Sequence, residues 1–142
     1  MRTPQRKLGK YAHLPPDPNI TQAKYNLLER ELDKLKNVYQ KPAIKEVKRL
    51  ALMGDFSENV AYQMAKGRLR GINQRIIDIE NILKKAQIIE KSNSGIVELG
   101  SRVKILYDEV EKIFLLLGSS EVEPSKNIIS HNSPIGSALM GK

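Results

Sequence analysis

The chain has 142 residues and a net charge of +8, from 24 Lys and Arg against 16 Asp and Glu. The absence of cysteine excludes a disulfide scaffold and a thiolate metal site, and His13 and His131 lie too far apart in sequence to read as a metal-ligand cluster. No apolar run approaches the roughly 18 residues of a membrane span, and the basic N-terminus has no apolar stretch behind it; the expectation is a cytoplasmic chain with neither secretory signal nor membrane partner.

The charge is uneven. Residues 1–20 carry +3, residues 21–91 carry +6 and residues 92–142 carry −1. A polyanionic partner would therefore meet the middle stretch.

In chain order, residues 1–20 hold Pro4, Pro15, Pro16 and Pro18 without apolar periodicity, which predicts a flexible or extended basic arm. Thr21 is placed to cap a helix. Leu28, Leu32, Leu35 and Tyr39 then recur at spacings of 4, 3 and 4. Pro42 interrupts the register, Ile44, Val47 and Ala51 resume it, and a kink or stutter near Pro42 is expected. Gly54 is the expected stop. A second helix is marked by Tyr62, Ala65, Leu69, Ile72, Ile76, Ile79, Leu83 and Ala86, an a/d seam of the coiled-coil kind. Two helices of about 33 residues would each be about 50 Å long. A connection of two or three residues would force them antiparallel, so residues 21–91 read as a coiled-coil hairpin with its tip at residues 54–59.

Ser92-Asn93-Ser94-Gly95 reads as a linker. Residues 101–107, 111–117 and 127–131 read as strands, with Asp108-Glu109-Val110 turning between the first two, and Ser133-Pro134-Ile135 opens a short helix. The fold class is α+β. The run Phe114-Leu115-Leu116-Leu117 is expected to lack cover in so short a β-rich unit.

Two features carry chemistry. Asp55 and Glu58 stand three apart at a predicted helix start, where both carboxylates can face one way. Such a pair serves as a capping box, or it presents two acids at the end of a rod. Two carboxylates cannot cage Mg²⁺, which wants six oxygens, but they can complete a site whose other ligands belong to a partner. Behind the tip lie Lys41, Lys45, Lys48 and Arg49 on the first helix and Lys66, Arg68, Arg70 and Arg75 on the second, offset by Glu46. This collar reads either as a solvated face or as a sequence-blind contact for phosphates.

Gly54-Asp55-Phe56-Ser57-Glu58-Asn59-Val60-Ala61-Tyr62 resembles the tip motif of the bacterial Gre transcript cleavage factors. Residues 127–142, Asn127-Ile128-Ile129-Ser130-His131 through Ser133-Pro134-Ile135-Gly136 to Gly141-Lys142, are similar to the signature of that family's FKBP-like C-terminal domain. The resemblance covers roughly residues 20–142. The basic run from Lys66 to Arg70 leans toward the GreB branch.

The resemblance implies a factor that binds RNA polymerase, inserts its coiled coil into the secondary channel and stimulates the polymerase's own cleavage of backtracked RNA, without being an enzyme itself. It further implies that Asp55 and Glu58 help hold a catalytic Mg²⁺ shared with the polymerase. Lys45, Lys48, Arg49, Lys66, Arg68 and Arg70 would face the nascent RNA 3′ end, and DNA is a further partner that the charge admits. Ala61 stands where relatives commonly carry another acid. The C-terminal domain is expected to be a shortened form, ending before further strands, and residues 1–19 have no counterpart in the family. A Gre-fold regulator that occupies the channel without stimulating cleavage, and a nucleic-acid-binding coiled coil with no polymerase partner, are the alternatives.

Overall fold

The structure is a computed structural model that describes residues 15–54 and 59–142. It contains a helical hairpin and a small β-sheet unit. The first helical arm consists of α1 (Gln22–Lys34), a wide π-helical stretch (Leu35–Gln40) and α2 (Lys41–Ala51); α3 (Val60–Lys85) returns along it. Thr21 caps α1 as expected, its side-chain oxygen accepting from the Lys24 amide at 3.2 Å.

The expected break at Pro42 takes the form of the π stretch just before it. Proline has no N–H to donate and its ring crowds the carbonyl four residues back, and a wider turn relieves both problems. The extra residue rotates the seam. Tyr39, expected inward, is 51% exposed, while half-buried Gln40 and then buried Ala43 and Leu50 face α3. On α3 every seam position from Tyr62 to Leu83 is buried or half-buried, so the heptad reading holds there. Leu28, Ile79 and Ile20 form the buried core, with Tyr25, Leu32, Leu35 and Leu83 packed around it. The three buried side chains each contribute about 1.5–3 kcal/mol by leaving water, and the half-buried ones less.

Three expectations change. α3 ends at Lys85 rather than continuing to residue 91, because Ala86 leaves helical geometry (φ −58°, ψ 133°). Leu52, Met53 and Gly54 follow α2 outside helical structure and Asn59 is extended ahead of α3, so the described residues alone make the connection longer than two or three residues. The end of the proline-rich arm is extended but is not separate from the fold: β1 (Asn19–Ile20) pairs in parallel with β2 (Gln87–Ile88), and Ile20 is among the most buried residues. The rest of the arm, residues 1–14, lies outside the described residues.

The second unit is a sheet in the order β3 (Arg102–Tyr107), β4 (Val110–Leu117), β5 (Ile128–Ser130). The first pair is antiparallel and the second parallel. Asp108 and Glu109 turn between β3 and β4, both at positive φ (47° and 62°), as a tight two-residue hairpin loop requires. α4 (Pro134–Leu139) is capped by Ser133, which accepts from the Gly136 amide at 3.0 Å. A Cβ on Gly136 would sit 2.0 Å from the Ser130 carbonyl oxygen, so only glycine lets this helix close on β5. The expectation that residues 114–117 lack cover is overturned at one end: Leu116 and Leu117 are buried, whereas Ile113, nearer the hairpin loop, is 55% exposed.

The two units meet where residues 17–21 touch residues 118–121 and His131. Glu121 accepts the Thr21 amide at 2.8 Å and the Thr21 hydroxyl at 2.6 Å. Asp17 accepts the Ser119 amide at 3.0 Å, and its carboxylate lies 3.5 Å from His131 Nδ1.

Candidate nucleic-acid interface at the hairpin tip

Asp55 and Glu58 lie outside the described residues, so the expected tip acids are placed only by their neighbours. Those neighbours bear on the capping reading. Asn59 is the N-cap of α3: its backbone is extended and its side-chain oxygen accepts from the Tyr62 amide at 3.1 Å. The α3 terminus therefore does not need Asp55 as its cap. Gly54 stands at φ +125°, a conformation that side chains rarely adopt, with open space around it.

The basic collar divides into two sides. Lys66 and Arg70 are one helical turn apart, and with Val47, Leu69, Asn73, Gln74 and Ile77 they line a groove of about 430 Å³ between α2 and α3. The Lys66 ammonium sits 5.3 Å from the centre of the Tyr62 ring, a cation–π placement that orients it. Arg68, two residues from Lys66, lies about 200° away around the helix and faces Glu46 electrostatically.

Arg49 is committed as well. It grips Glu46 through two bonds of 2.7 and 3.0 Å, and these hydrogen bonds hold the Glu46 carboxyl below its ordinary range. Lys45 and Lys48 are exposed. Among the described residues no ion pair is made by Lys45, Lys48, Lys66, Arg68 or Arg70. Arg75 leaves the collar: it bridges to Glu31 on α1 at 2.8 and 3.0 Å, and with Lys36–Glu80 it ties the two arms together.

Sequence patterning missed one feature. Leu52, Met53, Val60 and Met64 are 88, 66, 70 and 66% exposed and flank the tip with apolar surface. Their apolar character was legible; Leu52 and Met53 are exposed because α2 ends at Ala51, and Val60 and Met64 lie off the α3 seam. Among the described residues no group of three His, Asp or Glu could hold a metal, and no helix is long and apolar enough to cross a membrane.

Residues 19–88 match the family described as transcription elongation factor, N-terminal, and residues 91–142 match transcription elongation factor GreA/GreB, C-terminal. The chain belongs to the GreA/GreB family. It is 40% identical over 119 residues to transcription elongation factor GreA of Acetivibrio thermocellus, covering 80% of this chain and 74% of that one. It is 38% identical over 128 residues to GreA of Clostridioides difficile, covering 87% and 80%. These relatives carry the GreA name, whereas the collar leaned toward GreB. Among solved structures it resembles the transcription factor Gfh1, with 26% identity and a TM-score of 0.50 over 90% of this chain and 84% of that one. The chain is thus a transcription elongation factor of the Gre family, with the α+β fold that its sequence indicated.

Proposed function

We propose that this Gre-family protein binds RNA polymerase, enters its secondary channel with the hairpin and stimulates the polymerase's cleavage of backtracked RNA, without being an enzyme on its own. The observation that carries this reading is the unpaired cationic groove of Lys66 and Arg70 near the tip of a hairpin whose tip sequence holds two acids. Lys66 and Arg70 would hold the phosphates of an RNA 3′ end. Asp55 and Glu58 supply hard carboxylate oxygens of the kind that Mg²⁺ takes, and the Asn59 cap frees them from supporting α3. A magnesium ion shared there with the polymerase would stabilise charge developing on the scissile phosphate.

The test is RNA cleavage in stalled, backtracked elongation complexes with Mg²⁺. The parent protein should stimulate cleavage, and Asp55→Ala and Glu58→Ala should abolish it with polymerase binding nearly unchanged. Single variants that cleave like the parent would overturn the role of the acids. A parent that binds polymerase without raising cleavage would make the chain a channel-occupying regulator. Binding to RNA or DNA with no binding to polymerase would make it a nucleic-acid module.

A further inference from the structure

The junction between the hairpin and the sheet unit is built reciprocally, each side sending a carboxylate into the other. Glu121, from the sheet unit, takes both the amide and the hydroxyl of Thr21, the residue that caps α1. Asp17, ahead of the hairpin, takes the Ser119 amide at 3.0 Å and the Ser119 hydroxyl at 3.2 Å with one oxygen. Its other oxygen takes the backbone and side-chain N–H groups of Asn19 at 3.0 and 2.7 Å. The Asp17 side chain is only 7% exposed. Between the two carboxylates the backbones touch: a Cβ on Gly118 would fall 2.1 Å from the Asn19 carbonyl oxygen.

We propose that Asp17 and Glu121 form a two-point latch that fixes the angle between the hairpin and the sheet unit, making Glu121 a positioning residue for the hairpin tip. Charge-assisted bonds are short and directional, and the two sets, Glu121 on the α1 cap Thr21 and Asp17 on Ser119, flank a backbone contact and resist rotation in a way that one cannot. The consequence for cleavage rests on the function proposed above; the latch itself does not.

The chain has no cysteine, so Lys34→Cys and Lys112→Cys, both at exposed positions on opposite sides of the junction, accept spin labels cleanly in the full chain. Pulsed EPR should give a narrow distance distribution in the labelled parent. It should become about twofold broader in Glu121→Ala, and likewise in Gly118→Ala, which wedges the same contact without altering any charge. Circular dichroism should show the helices intact in both. Unchanged distributions in both variants would overturn the latch. In backtracked complexes, Glu121→Ala should lower the rate of stimulated cleavage by about tenfold while polymerase affinity stays within about twofold. A broadened distribution with cleavage unchanged would overturn the positioning role. Absence of stimulation by the parent would instead count against the proposed function and leave the distance result standing.

Discussion

Gln40 donates to the side-chain oxygen of Asn73 across the hairpin at 2.8 Å. The bond exists because the π stretch turns Gln40 toward α3 in place of Tyr39. It places a polar pair in an otherwise apolar seam, and such a pair fixes register more than it adds stability. Asn73→Ala leaves half-buried Gln40 without this partner and should cost about 1 kcal/mol. Gln40→Leu combined with Asn73→Leu should recover most of that loss while weakening the register. Urea midpoints of the parent, single and double variants check the coupling. If the double variant is no more stable than Asn73→Ala, the bond is not what constrains the site.

The division of the collar separates variants that charge counting treats alike. Lys66→Glu with Arg70→Glu removes both cations of the groove. The slope of log binding constant against log salt, measured on single-stranded RNA, should lose about 0.7 per phosphate contact, or about 1.4 for the pair. Arg68→Glu lies on the opposite side of α3 and confronts Glu46, so it should leave the salt slope nearly intact. Equal effects of the double and single variants on the slope would mean that the groove is not the RNA-facing side.

The second helix was legible because its seam repeats without interruption, and a 3,4 pattern of Ile and Leu leaves one face to bury. The strands were legible to within a residue because Asp108-Glu109 punctuates two apolar runs. The register after residue 35 was legible only in part: Ile44, Val47 and Ala51 are half-buried as expected while Tyr39 is exposed, because Pro42 announces a fault but does not say whether the chain kinks or takes up an extra residue. Ile20 was also missed, since two residues behind a proline-rich arm carry no periodicity; their pairing with residues 87–88 is a long-range event. The acids and cations of the tip were visible as residue types. Which cations are free was only partly legible: Arg49–Glu46 is an i,i+3 pair within α2 that spacing alone suggests, whereas Arg75–Glu31 crosses between α3 and α1 and depends on how the arms rotate.

β4 should show a stability gradient along its length. Leu115 is paired on both sides, to β3 and β5; buried Leu116 and Leu117 continue along β5, and the Leu116 amide donates to the Ser101 carbonyl just ahead of β3. The start of β4, from Val110 to Ile113, is paired only to β3 and is exposed. Native-state hydrogen exchange should find the amides of Leu115 and Leu116 protected to near the level of Ile76–Leu83 in α3, and those of residues 110–113 exchanging faster by at least about tenfold. Uniformly fast exchange along β4 would show that the cover over Leu116 is transient.

The junction should loosen in acid, and Asp17 sets the window. Burial works to raise its carboxyl, but the amides of Asn19 and Ser119, the Asn19 side chain and the charge of His131 outweigh burial and hold it below its ordinary 3.8. A carboxyl whose folded pKa is depressed contributes stability that is complete above the unfolded value and is lost as pH falls through the folded one. The Asp17 contacts should therefore be intact from neutral pH down to about 4 and fail below that. Glu31 and Glu46 are also held low, first by their bonds to Arg75 and Arg49, but both pairs are made within the hairpin. Amide shifts of Ser119 and Asn19 followed by NMR report Asp17 directly, because both amides donate to it. They should titrate together with a midpoint below 3.8, and Asp17→Asn should abolish that step while leaving the Thr21 shift in place at neutral pH. A midpoint at or above about 4 would mean that burial outweighs the hydrogen bonds, and the sign of the acid effect at this junction would reverse.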